Sequence, residues 1–278
     1  MALQLKTVEL RNGPRWVAEG FRAFGRRPLA LGLLFIIFLA ASTLVAVVLP
    51  FVGALLALMA LPLLSLGYMV ATHAALLGAP VHPGQFFEPL RTDARRRRAL
   101  LILCATYGLL ALAILMLCAW VSNDAMTRLQ ELAMRGDARR EEVAALLEEP
   151  GVTQAAWLLA LLGTALSVPY WFAPPLVHWG GQGVGQALFS STLALWRNKG
   201  AFTMFLVTWM AVVMGSVAVL SVVLQLAGAG RAMGTLLLPL ALMFSTVFYV
   251  SQLFAFTDCF GGTHATNAGD EPAPPAAA

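Results

Sequence analysis

The sequence predicts an all-α, polytopic membrane protein with six transmembrane helices, and three observations predict this fold class. The 278 residues are 59% hydrophobic and 12% charged, with a mean hydropathy of +0.78, whereas about 25% of an ordinary soluble domain is charged. The apolar residues form long blocks with almost no charge, and a helix needs about 20 such residues to cross a bilayer. A membrane β-barrel would show short alternating segments instead.

Six apolar blocks define the predicted spans of a single transmembrane domain, residues 1–260. They cover residues 28–49, 51–78, 99–121, 152–179, 201–226 and 232–260. Pro50 separates the first two blocks and Gly228 follows the fifth, so tight turns are expected to leave both helix pairs antiparallel. The chain is mixed and polar before residue 28. Because the first block begins so late, we expect no cleaved signal peptide.

Two segments lie outside these blocks. Residues 122–151 contain seven acids and two apolar stripes separated by Gly136, a pattern that predicts a small periplasmic helical hairpin. Its charges fit a solvated cap, with a metal or partner site as the alternative. The tail, residues 261–278, is rich in Ala, Pro and Gly and is predicted to be disordered.

The distribution of basic residues predicts the orientation, because cytoplasmic segments of membrane proteins carry an excess of Lys and Arg. Thirteen of the 18 Lys and Arg residues precede span one or lie between spans two and three or four and five. Both termini are therefore expected in the cytoplasm. The basic residues predicted at the membrane surface, facing anionic headgroups, are Arg26, Arg27, Arg95, Arg96, Arg97, Arg98, Arg197 and Lys199.

A threefold repeat runs along the chain. Residues 16–24, 82–90 and 184–196 each lead through basic residues into a span. The predicted unit is a cytoplasmic interfacial helix followed by a transmembrane hairpin, and three such units are parallel because each has an even number of spans. We expect the interfacial helices to lie flat with their apolar side in the acyl boundary. They would brace the bundle or, alternatively, bind a membrane-protein partner or act as gates.

The second helix of each hairpin carries interior prolines. These predicted kinks are Pro62, Pro169, Pro174, Pro175 and Pro239. Proline removes a backbone donor and bends a helix, which lipid tolerates only where neighbours or water satisfy the freed carbonyl groups. The second helices are therefore expected to line the centre. Some of their aromatic residues would form interface belts and others would line a hydrophobic or amphipathic groove. These residues are Tyr68, Tyr170, Trp171, Trp179 and Tyr249. Gly163 and Ser167 give a small-residue face for close helix packing.

The sequence shows no strong signature of catalysis, nucleotide binding or a metal site. We therefore predict no enzymatic activity, cofactor or metal, and no nucleic-acid partner. Ion-coupled transporters usually keep an ionisable residue near mid-membrane, and these spans hold none there. The nearest are His73, His178 and Asp258, late in spans two, four and six. They form a polar cluster or, alternatively, each lies at the interface, where polarity costs little.

Three motifs carry a resemblance to a known family. They are WVAEGFRAFGRRP at residues 16–28, FAPPLV at 172–177 and ALWRN at 194–198. With them the chain resembles, over nearly its whole length apart from the tail, a family of uncharacterised integral membrane proteins of proteobacteria. It is more distantly similar to the membrane domain of some glycerophosphoryl diester phosphodiesterases. This sequence contains no hydrolase domain, so the resemblance implies a location in the bacterial inner membrane and a fold, without that activity.

Three functional hypotheses follow. The first is a non-enzymatic structural or interaction role in the cell envelope. The second is a transporter or channel for an uncharged or amphipathic, lipid-like solute, which a continuous cavity between spans two, four and six would favour. The third is an intramembrane enzyme that uses His73, His178 and Asp258, which requires near contact between them.

Overall fold

A computed structural model of the protein provides the fold. It describes residues 3–91, 93–123, 125, 127–128, 131–132, 140–229 and 233–261. In this part of the chain the structure is helical without strands, which confirms the predicted all-α class. The tail beyond residue 261 and much of the predicted hairpin, including residues 133–139, lie outside the described residues.

The described residues form ten α-helices and two short 3₁₀ turns. The helices are α1 (Asn12–Arg26), α2 (Pro28–Val48), α3 (Pro50–Leu76), α4 (Ala94–Val121), α5 (Arg140–Leu147), α6 (Pro150–Tyr170), α7 (Ala173–His178), α8 (Val184–Arg197), α9 (Lys199–Leu226) and α10 (Met233–Phe260). Six stretches are long and apolar enough to cross a membrane: α2, α3, α4, α6 with α7, α9 and α10. Leu44, Val47, Val219, Leu226 and Leu238 on them are largely exposed. An apolar surface this extensive marks contact with lipid.

In each of the first two hairpins, hydrogen bonds join the start of the first helix to the end of the second helix. The Arg27 guanidinium, just before α2, donates to the carbonyl groups of Gly78 (2.9 Å) and Ala79 (2.8 Å) after α3. The Arg96 guanidinium, in the first turn of α4, donates to the His178 carbonyl (3.0 Å) at the end of α7. The first helix of each hairpin therefore starts at the end of the bundle where the second helix stops.

The N-terminal segment crosses the same end of the bundle at the third hairpin. The amide of Asn198, just before α9, donates to the carbonyl of Lys6 (3.0 Å), and its side-chain oxygen accepts from the backbone N–H of Val8 (2.8 Å). The backbone N–H of Lys6 also donates to the carbonyl of Cys259 (2.7 Å), near the end of α10. We call this end of the bundle, which carries the eight basic residues predicted at the membrane surface, the basic face.

The apolar side of α1 is covered by protein, although the sequence suggested that it would lie in the acyl boundary. Trp16 and Val17 are buried, and α1 packs against α9 and α10. Gly20 allows this approach, because a Cβ there would lie 2.7 Å from the Cβ of Ser251 on α10. The first interfacial helix therefore braces the last hairpin.

The second interfacial segment consists of two 3₁₀ turns, Pro83–Phe86 and Glu88–Arg91, instead of the predicted helix. Pro89 has no backbone N–H and therefore cannot donate a helical hydrogen bond inside the segment. The side chain of Gln85 also accepts from the backbone N–H of His82 (3.2 Å). The segment thus turns locally and cannot continue as a helix.

The fourth span is broken between α6 and α7. Pro174 and Pro175 begin α7 and have no backbone N–H to donate to the preceding turn. The buried Ser191 hydroxyl of α8 bridges the break, because it accepts from the backbone N–H of Phe172 (3.0 Å) and donates to the carbonyl of Val168 (3.0 Å). A side chain of the third interfacial helix therefore takes the place of one helical hydrogen bond.

Candidate functional site

A small cavity of about 140 Å³ lies where α3, α6 and α10 meet, with α4 at one side. The helices α3, α6 and α10 are the second helices of the three hairpins, and α4 is the first helix of the second hairpin. Hydroxyl, amide and indole groups contribute to its lining, among them Ser65, Tyr107, Ser167, Tyr249 and Gln252. We call it the central cavity. Its volume admits a few water molecules or one small polar group.

The polar groups of the central cavity are held in place by one another. The Ser65 hydroxyl on α3 donates to the side-chain oxygen of Gln252 on α10 (2.6 Å). The rings of Tyr107 and Tyr170 pack edge to face at 5.2 Å, and the Tyr170 hydroxyl donates to that of Thr106 (2.8 Å). Polar side chains at this depth are costly unless they find partners, and these contacts supply such partners.

A larger groove of about 770 Å³ runs along the side of the bundle between α4, α6, α8 and α9. Its volume falls in the range of small-molecule binding sites, about 300–1,000 Å³. Leu115, Leu159 and Leu206 line it and are themselves exposed, so the groove opens on the apolar surface of the bundle. We call it the side groove. In a membrane its open side faces the acyl chains.

Gly163 lies in the side groove and does not form the tight helix contact that its spacing suggested. A Cβ built at Gly163 meets no described atom within 4 Å, apart from its chain neighbours and the nearby backbone of its own helix. Ser167, four residues later, also lines the groove, and its hydroxyl donates to the carbonyl of Gly163 (2.7 Å). The small residues on this face of α6 therefore leave room in the groove.

The central cavity and the side groove adjoin. Tyr107, Ser167 and Trp171 line both of them. Trp171 lies at the break between α6 and α7, with its ring edge to face against Phe202 (6.1 Å) and Phe248 (5.9 Å). Its indole nitrogen is buried without a hydrogen-bond partner among the described residues. A side chain at a break in a transmembrane helix is thus one of three that line both spaces.

The predicted polar residues lie elsewhere, and the first of them, Asp258, fastens α1. Its carboxylate accepts from the indole N–H of Trp16 (2.8 Å) and from the amide of Asn12 (3.1 Å). Because Trp16 is fully buried, this hydrogen bond satisfies a donor that would otherwise have no partner. Asp258 therefore has a structural partner at the basic face.

The two histidines lie near the ends of α3 and α7. His178 contacts Trp179 at 5.5 Å between ring centroids, and its carbonyl accepts from Arg96. His73 is half-buried near the end of α3. Within the part of the chain that the structure describes, no hydrogen bond or ion pair joins any two of His73, His178 and Asp258. The described residues also contain no group of three His, Cys, Asp or Glu side chains able to hold a metal.

Sequence reasoning found part of this site and missed part of it. It singled out Tyr170, Trp171 and Tyr249 because they belong to the proline-bearing helices. It did not single out Tyr107 or Lys199 as lining residues. Tyr107 lies on a first helix, and only the packing of α4 against α3 and α6 turns it toward both cavities.

Comparison with known proteins gives one relative over nearly the full length. The chain is 30% identical over 259 residues to a probable inner membrane protein of Burkholderia thailandensis, and the match covers 93% of this chain and 94% of the relative. No family model and no solved structure matches. The similarity to the membrane domain of phosphodiesterases stays a prediction from the motifs.

Proposed function

We propose that the chain, which belongs to the family of the probable inner membrane protein of Burkholderia thailandensis, binds amphipathic, lipid-like molecules at the centre of its bundle and moves them between the leaflets of the bilayer. The observation that supports the proposal is the adjoining pair of cavities, one apolar and open to the side, the other lined by both polar and apolar groups. An amphipathic molecule would place its apolar part in the side groove. During transfer, its polar part would pass the hydroxyl and indole groups near Trp171.

The broken fourth span supports the same proposal. Irregular backbone at membrane depth is tolerated where it is buried in protein or lines a cavity, and transporters use discontinuous helices at their binding sites. Here the break between α6 and α7 lies beside both cavities, since Trp171 lines each of them. A small change at Ser191, which bridges the break, would alter the passage between the two spaces.

A structural or interaction role in the envelope is the second candidate. It is supported by aromatic side chains that project from the interfacial segments at the basic face. Phe87, Phe189 and Trp196 are each more than 60% exposed, and exposed aromatic residues are common at protein–protein interfaces and at the membrane interface. With the basic face toward the cytoplasm, as the charge distribution predicts, these residues would meet a membrane-protein partner. This role requires no catalytic residue and no solute pathway.

Filling the side groove distinguishes the two candidates. A Cβ at Gly163 meets no described atom within 4 Å, so Gly163→Trp directs a large ring into the groove, whereas Gly215→Trp places the same ring on the exposed surface of α9. In reconstituted vesicles, we expect the wild type and Gly215→Trp to move a fluorescent short-chain lipid between leaflets and Gly163→Trp to lose that movement. The assay follows the fraction of dye that dithionite reduces from outside. Equal rates for all three proteins and for protein-free vesicles would contradict transport and leave the interaction role.

A further inference from the structure

The side groove carries one charged residue within the described part of the chain, Lys199, at its basic-face end. Lys199 is exposed, and its ammonium lies 5.4 Å from the ring centroid of Trp196. None of the four ion pairs among the described residues involves it, and no Asp or Glu lines the groove. The ammonium therefore lies beside the side groove, over the Trp196 ring, without a carboxylate in the groove to neutralise it.

The groove has the length of an acyl chain. Its lining on α6 and at the break that follows extends from Leu159 to Trp171, a distance of roughly 18 Å at about 1.5 Å per residue. One leaflet contributes about 15 Å, half of a hydrocarbon core of about 30 Å. A molecule that fills the groove from Lys199 inward is therefore as long as a lipid of the leaflet at the basic face.

We propose that the side groove selects an anionic phospholipid, with the headgroup phosphate against the ammonium of Lys199 and one acyl chain along α6. The inference rests on the proposed function and adds the class of lipid. The hydroxyl of Thr203, one turn along α9, also lines the groove and supplies a donor for a phosphate oxygen. A zwitterionic headgroup gains less, because its own cation has no acid in the groove to pair with.

Lipid binding to detergent-solubilised full-length protein tests this selection. The probes are short-chain phosphatidylglycerol and phosphatidylcholine with identical chains, and the dissociation constant of each is measured from the shift in thermal unfolding. We expect the wild type to bind the anionic lipid roughly fivefold more tightly, the effect of one cation near a lipid headgroup. High salt reduces the preference, and inorganic phosphate alone produces no shift.

Two substitutions of neighbouring cations make the test specific. Lys199→Gln is expected to abolish the preference while binding of phosphatidylcholine is unchanged. Arg197→Gln removes an equal charge from a residue that does not line the groove and contacts Thr7 instead (3.2 Å), and it is expected to keep the preference. Equal affinities of the wild type for both lipids would overturn the inference, as would an equal loss in both variants.

Other outcomes separate this inference from the proposed function. If the wild type binds both lipids equally and Gly163→Trp binds neither, lipid binding in the groove stands and selection by Lys199 fails. If the wild type binds neither lipid, both proposals fail. If Gly163→Trp changes the mass of the particle measured by light scattering, a second copy of the chain occupies the groove, and the inference is overturned.

Discussion

At the scale of single residues, the hydroxyl of Ser191 holds the broken fourth span together. The sequence predicted kinks at Pro174 and Pro175, because they cannot donate backbone hydrogen bonds. It could not predict the bridge, since Ser191 belongs to α8 and reaches Phe172 and Val168 only through tertiary packing. Asp258 shows the same limit. Its position near a helix end was evident, but its bond to Trp16 depends on how α1 docks.

Removal of the Ser191 hydroxyl is predicted to destabilise the protein. Ser191→Ala leaves the N–H of Phe172 and the carbonyl of Val168 without this partner in a buried place, at a cost of about 1–3 kcal/mol in the free energy of unfolding. The neighbouring Thr192→Ala is the control, because that hydroxyl is exposed and bonds only to its own helix (2.9 Å, to Leu188). Thermal unfolding in detergent should show a lower midpoint for Ser191→Ala than for Thr192→Ala. Equal midpoints would mean that the bridge carries no stability.

At the scale of elements, each hairpin is tied at the basic face between the start of its first helix and the end of its second. Arg27 and Arg96 make these ties directly, and Asn198 lies 3.7 Å from the sulfur of Cys259 in the third hairpin. The common position of the three ties supports the predicted threefold repeat, which stays a prediction. Amphipathic segments and prolines in the sequence indicated the repeat. The helix predicted at residues 82–90 was wrong, because that segment forms two 3₁₀ turns.

The docking of α1 predicts opposite effects for two glycines of that helix. Gly20→Leu would drive a side chain into Ser251 and the Val247 carbonyl, whereas a side chain at Gly25 meets no described atom within 4 Å. We expect Gly20→Leu to cost about 1–3 kcal/mol, as for overpacked cores. Gly25→Leu should be neutral or stabilising by up to about 1 kcal/mol, because leucine favours the helix. Thermal unfolding measures stability, and proteolysis at the arginines of α1 reports undocking. Similar behaviour of both variants would contradict the packing described for α1.

At the scale of the whole molecule, hydropathy alone predicted six spans, and the six long apolar helices confirm them. The cavities could not be predicted from the sequence, because they form where the side chains of neighbouring helices do not pack against one another. Gly163 illustrates this point. Its spacing from Ser167 is typical of a close helix contact, but in the folded chain it borders the side groove. Composition shows that a protein lies in lipid, whereas the arrangement of its helices decides where lipid can enter the bundle.

The central claim is that a lipid-like molecule occupies the side groove and reaches the wall of the central cavity. An experimental structure of the full chain in lipid nanodiscs, determined by cryo-electron microscopy with a bound antibody fragment, tests it most directly. The account predicts elongated density between α6 and α9 that begins near Lys199 and passes Tyr107 and Trp171. A groove closed by direct contact of α6 with α9, without lipid density, would contradict the claim.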